Sequence, residues 1–153
     1  MRSRILALPV VLILAAPACT SNEPETAPSP TVAPSRNIAV ELREFSVGPD
    51  PDVGAAGEVE FTVENTGEDI HEFVVISTDL DPGQLPTKTD GSVDEDQVDG
   101  VDEIEDIEPG DSQTLTLDLD PGPYALVCNR VDTEDGETEV HYKLGMRTAF
   151  TVR

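Results

Sequence analysis

From Pro123 to Arg153 the chain reads PYALVCNRVDTEDGETEVHYKLGMRTAFTVR. PYALVCN is a continuous apolar run entered from a Pro121-Gly122 turn, the pattern of a strand buried on both faces, and TAFTVR supplies a closing strand. HEFVVIS, from His71, is a second run of the first kind. Elsewhere apolar and polar residues alternate, as in half-buried strands: Ile38, Val40, Leu42; Val59, Phe61, Val63; Leu115, Leu117, Leu119. Turn residues fall between these runs at Pro49 to Gly57, Asn65-Thr66-Gly67, Pro82-Gly83 and Pro109-Gly110. Six or seven short strands with almost no amphipathic helical pattern predict an all-β, antiparallel Greek-key sandwich over residues 37–153. The segment from Asp79 to Ile107, dominated by Asp, Glu and Gly, reads as a long acidic surface loop inserted in that sandwich. It is not a calcium loop of the EF-hand type: Asp90, Ser92 and Asp94 alternate, but Glu95 takes the glycine slot and Val101 the place of the bidentate Glu.

The 153 residues carry 32 acidic and 9 basic side chains, a formal net charge of −23, which makes nucleic acid and anionic membrane surfaces poor partners. With 37% hydrophobic and 4% aromatic residues there is material for one modest core and not for two. Arg2 and Arg4 precede an apolar run from Ile5 to Ala16, and the small residues Ala16, Pro17 and Ala18 then lead to Cys19. This is the pattern of a secretory signal over residues 1–18. Small residues directly before a cysteine resemble the lipobox of bacterial lipoproteins, which implies Cys19 as a lipidated mature N-terminus; the alternative is simple cleavage at the A-x-A site, leaving Cys19 a free thiol. Residues 19–36 are rich in Pro, Ser and Thr, without hydrophobic periodicity, and read as a tether. Removing residues 1–18 takes away two arginines and no acid, so the acidity belongs to the exported part. It is concentrated in the Asp79 to Glu108 stretch and between Cys128 and His141.

Beyond Cys19 the chain contains His71, Cys128, His141 and Met146, and no other His, Cys or Met. Taken singly, each has a plain structural reading: a satisfied core histidine, a small buried hydrophobe, a packing methionine. Taken together they form one ligand set near predicted strand ends. A lone cysteine in an exported domain closes no internal disulfide, and metal ligation supplies a reason for it. Two imidazoles, a thiolate and a weak thioether suit a trigonal copper site that changes by one electron with little rearrangement.

A histidine before a buried strand, followed by Cys, His and Met ahead of the last strand, is the ligand order of the cupredoxin, or blue copper, family, which residues 37–153 resemble. Phe73 beyond His71, the Tyr124 to Cys128 strand and the four residues between His141 and Met146 match its pattern. The resemblance implies one type 1 copper, bound strongly by His71, Cys128 and His141 and weakly by Met146, and a redox protein as partner, with cytochrome c or a terminal oxidase at family level. One departure is the twelve residues NRVDTEDGETEV between Cys128 and His141, where the family places few. A hairpin can bring the ends together, since closure entropy rises slowly with length. Glu139, within that insertion, is an alternative axial ligand, and Asn129 a candidate to place backbone hydrogen bonds on the thiolate.

No hydrolase, zincin or nucleotide-binding motif occurs, and a fully protein-ligated copper has no open position for substrate, so the expectation is a carrier and not an enzyme. Three functions follow: an extracytoplasmic, membrane-tethered electron carrier whose partner has a basic docking surface; a copper carrier or storage module; or a metal-free envelope binding module.

Overall fold

The computed structural model describes residues 33–134 and 136–153. The signal segment, Cys19 and most of the tether lie outside the described residues. Two sheets pack face to face. The first holds β1 (Asn37–Arg43), β2 (Ser46–Asp50), β4 (Gly57–Asn65) and β7 (Ser112–Leu119) in the order β2-β1-β4-β7. The second holds β3 (Val53–Gly54), β5 (His71–Ser77), β6 (Asp99–Ile107), β8 (Gly122–Val127) and β11 (Arg147–Val152) in the order β3-β11-β8-β5-β6. A separate hairpin of β9 (Val131–Glu134) and β10 (Glu137–Val140) and a single helical turn, α1 (His141–Leu144), stand between β8 and β11.

The alternating segments form β1, β4 and β7, and their apolar residues face inward: Ile38, Val40 and Leu42, Val59, Phe61 and Val63, Leu117 and Leu119 are buried. They meet Phe73 and Val75, Tyr124 and Leu126, and Phe150 and Val152 of the second sheet. Phe61 sits centrally, its ring 5.5 Å from those of Phe73 and Phe150. The sandwich is not purely antiparallel. β1 pairs in parallel with β4, and β11 with β3, because the chain leaves β2 for the far sheet as β3 and returns as β4. Pairing begins just before Asn37: Ser35 bridges to Gly54, and Glu60 N donates to Arg36 O at 2.7 Å.

The acidic segment departs from its reading as one long loop. Residues 79–98 do lie outside both sheets, but Asp99–Ile107 is β6, an edge strand antiparallel to β5. One register shift, together with the positive φ of 50° at Asp106, spaces its inward residues Ile104 and Ile107 by three, and a second falls between Asp102 and Gly100, which together remove the period-two signature of a strand. Acidic side chains occupy much of the remainder, as edge strands often require. The loop itself is a cover. Leu85 and Val93 pack on the outer face of the second sheet, against Val74, Ile76, Ala125 and Val127, with Val140 and Tyr142 completing the cluster. This explains why β5 and β8 read as strands apolar on both faces.

Candidate metal centre

His71 and Cys128 each continue an inward-facing row, residues 71, 73 and 75 on β5 and 124, 126 and 128 at the end of β8, so both side chains point between the sheets at one end of the sandwich. Three fixtures set them there. Asn65 is fully buried; its side chain donates to the carbonyls of Asp69 and Ile107 at 2.8 Å and accepts from Gly67 N at 2.9 Å, which fastens the connection delivering His71. The Cys128 N–H donates to Met146 O, and the Met146 N–H to His141 O, both at 3.0 Å, tying the three residues together through backbone. The turn between His141 and Met146 requires Gly145: its φ is +126°, and a Cβ there would lie 3.1 Å from Phe45 O.

The twelve-residue spacer between Cys128 and His141 is the expected hairpin. Val131 pairs with Val140, and the His141 N–H donates to Arg130 O at 3.1 Å, so the chain re-enters the site two residues from where it left.

His71, Cys128, His141 and Met146 are all fully buried. The two imidazoles meet through their Nδ1 atoms, 3.1 Å apart, and Cys128 Sγ lies 3.5 Å from His141 Nδ1 and 4.0 Å from His71 Nδ1. The point equidistant from these three atoms is about 2.1 Å from each, within the ~2.0–2.3 Å at which imidazole nitrogen and thiolate bind a transition-metal ion. The Glu72 N–H donates to Cys128 Sγ at 3.2 Å. Phe45 closes one side of the site, its ring edge-on to His141 at 5.7 Å.

The far side of each imidazole faces a carboxylate. His71 Nε2 lies 3.2 Å from Glu44 Oε1 and His141 Nε2 lies 3.4 Å from Asp132 Oδ2, yet both N–H directions miss the oxygens, and neither nitrogen completes a hydrogen bond. An ionised carboxylate only accepts, so it favours the tautomer with hydrogen on Nε2, which leaves two bare Nδ1 lone pairs facing each other across 3.1 Å. A cation between them resolves that repulsion. Burial lowers the pKa of both histidines, with His141 adding to the effect at His71, and burial pushes the Cys128 thiol up to about 11. The donors are thus two neutral imidazoles and a thiol that must shed its proton to ligate.

Met146 lies buried in the same core cluster as Cys128. Glu139 does not join the donors: it is exposed on β10, and the converging group at this end is His71, Cys128 and His141. The Asn129 side chain reaches away from the sulfur, accepting from Val93 N at 2.6 Å and donating to Val93 O at 3.2 Å; it holds the cover formed by residues 79–98, and Glu72 supplies an N–H to the sulfur. Glu44 and Asp132 escaped the sequence reading because they come from separate strands and loops with no spacing relation to the histidines.

No protein-family model matches the chain, and neither does any curated protein. Among solved structures it is similar to the Na-dithionite-reduced auracyanin of the photosynthetic bacterium Roseiflexus castenholzii, at 21% identity and a TM-score of 0.56 over 79% of this chain and 99% of that one. Auracyanin B aligns at 17% identity and a TM-score of 0.48, covering 80% of this chain and 92% of that one. Azurin from the obligate methylotroph Methylomonas sp. strain J aligns at 13% identity and 0.45, covering 76% of this chain and 97% of that one. The chain has the cupredoxin β-sandwich, and the donor group at its end fits a single type 1 copper site.

Proposed function

We propose that this protein is an extracytoplasmic electron carrier with one type 1 copper held by His71, Cys128 and His141 and, from the axial side, by Met146. The carrying observation is the convergence of two imidazole nitrogens and one cysteine sulfur, all buried, about one point at metal-binding distance. When bound, copper supplies a one-electron couple between Cu(I) and Cu(II). The chain's residues keep that couple fast by holding still: the backbone bonds among Cys128, Met146 and His141 fix the donors, and burial excludes water and any substrate. A carrier and not an enzyme is what such a closed site supports.

The signal-like leader supports export to the outer face of the cell membrane or the periplasm, with lipidation of Cys19 tethering the domain. Among the described residues no helix is long and apolar enough to cross a membrane. The electron partner we infer is a redox protein with a basic docking surface. A cleft of about 570 Å³ is lined by the acids Glu68, Asp69, Asp132, Glu137 and Glu139, with Arg130 the one base among its described lining residues.

Copper loading of the purified domain tests this reading. It requires one copper per chain, an intense thiolate-to-copper visible band and reversible one-electron reduction. Copper uptake without a reversible couple, with rapid transfer to a metal-free acceptor, would make the protein a copper carrier. Absence of stoichiometric copper under both reducing and oxidising conditions would leave the envelope module. Electron-transfer rates with a basic partner should fall as salt rises, and a salt-insensitive rate would assign the acidity to solvation alone.

A further inference from the structure

The inserted hairpin does more than return the chain to the site. Asp132, on its first strand, is clamped by Arg130, whose Nε donates to Oδ1 at 2.9 Å and to Oδ2 at 3.2 Å, and Oδ2 then faces His141 Nε2. Arg130 is braced in turn by Asp106 of β6. Across the site, Glu44 stands in the turn between β1 and β2. Its Oε1 accepts the N–H groups of Glu68 and Asp69, both at 2.8 Å, and the same oxygen faces His71 Nε2. Each imidazole thus has a fixed anion on the edge away from the donors. The two anions arrive on different elements, each secured by its own donors.

We propose that Glu44 and Asp132 are paired positioning residues of the metal centre: each sets an anionic oxygen beside the Nε2 edge of one imidazole and so favours hydrogen on Nε2, leaving both Nδ1 lone pairs toward the ion, and Asp132 is carried there by the hairpin between Cys128 and His141. The inference rests on the copper reading for its redox consequence, but its tautomer consequence holds for the metal-free protein. Anionic partners on ligating histidines raise ligand basicity and stabilise the higher charge of the oxidised ion. Neutralising either carboxylate therefore shifts the reduction potential upward, and its removal weakens metal binding by about 10–100-fold.

The test uses Asp132→Ala, Asp132→Asn, Asp132→Glu and Glu44→Gln. In the metal-free protein at neutral pH, side-chain 15N NMR is expected to show both histidines with hydrogen on Nε2, and His141 to lose that bias in Asp132→Ala and regain it in Asp132→Glu. In the copper-loaded protein, Asp132→Asn and Glu44→Gln should each raise the potential, and Asp132→Ala should lower Cu(I) affinity in competition with a chelator. Unchanged His141 tautomers in Asp132→Ala, with potential and affinity unmoved, would overturn the proposal. If the wild-type protein binds no copper, the copper reading fails, and the tautomer measurement still decides whether these carboxylates position the imidazoles.

Discussion

The two sheets are built from the same kinds of residue and end in different situations. β1, β4 and β7 bury one face and wet the other, with Glu41, Glu58, Glu60 and Glu64 on the solvent side. β5 and β8 are covered on both faces, inward by the first sheet and outward by Leu85 and Val93 of the acidic segment and by Val140 and Tyr142 beyond the hairpin. The first sheet is a wall. The second is a clamped layer, in which His71 opens β5 and Cys128 directly follows β8. The donor group thus sits on a layer held from both sides, which fixes its geometry.

Four measurements bear on the difference between the two sheets. Phe61 belongs to the core that both sheets share, so Phe61→Ala should cost about 3–5 kcal/mol, read as a lower midpoint in urea unfolding of the metal-free protein. A loss below ~1 kcal/mol would mean that the sheets do not depend on a common core. Asn129→Ala removes the clasp on Val93 and should cost about 1–3 kcal/mol while leaving the copper absorption in place, because its side chain holds the cover and not the sulfur. Loss of the visible band in that variant would merge cover and metal centre into one unit.

Metal uptake gives a smaller signal. With the Cys128 thiol pushed up to about 11 by burial and both histidines neutral, copper binding at neutral pH should release one proton per chain, measurable as buffer-dependent heats. Affinity should therefore fall by about tenfold for each pH unit below 11. Pairing of a pH-independent affinity with no proton release would remove the thiolate from the site.

The subtlest effect concerns Glu72, whose carboxyl is pushed up to about 8 by burial and by Glu103 and Glu95. Its ordinary value is 4.5, so folding takes up a proton between those limits, and stability should decline as pH rises from 4.5 toward 8. Glu72→Gln should flatten that decline in the metal-free protein. An unaltered slope would place the pH dependence elsewhere.

Much of this was legible in the sequence, for identifiable reasons. Period-two alternation marked β1, β4 and β7, and unbroken apolar runs marked β5 and β8, because inward rows leave a local trace. The ligand set stands out by scarcity, since nothing else beyond Cys19 offers His, Cys or Met. β6 was hidden because its register shifts destroy the period that identifies a strand, and β3 is only two residues long. The cover was hidden because Leu85 and Val93 are isolated apolar residues among acids, and only the tertiary structure brings them onto one surface. Glu44 and Asp132 meet the imidazoles through loops and a hairpin that no spacing rule connects.

In the proposed site His71, Cys128 and His141 hold one copper, with Met146 at the axial position. X-ray absorption at the copper edge of the loaded protein tests that donor set. Two nitrogen scatterers and one sulfur are expected at about 2.0–2.3 Å, with the sulfur lost in Cys128→Ser. A first shell of nitrogen and oxygen alone, unchanged by that substitution, would contradict it.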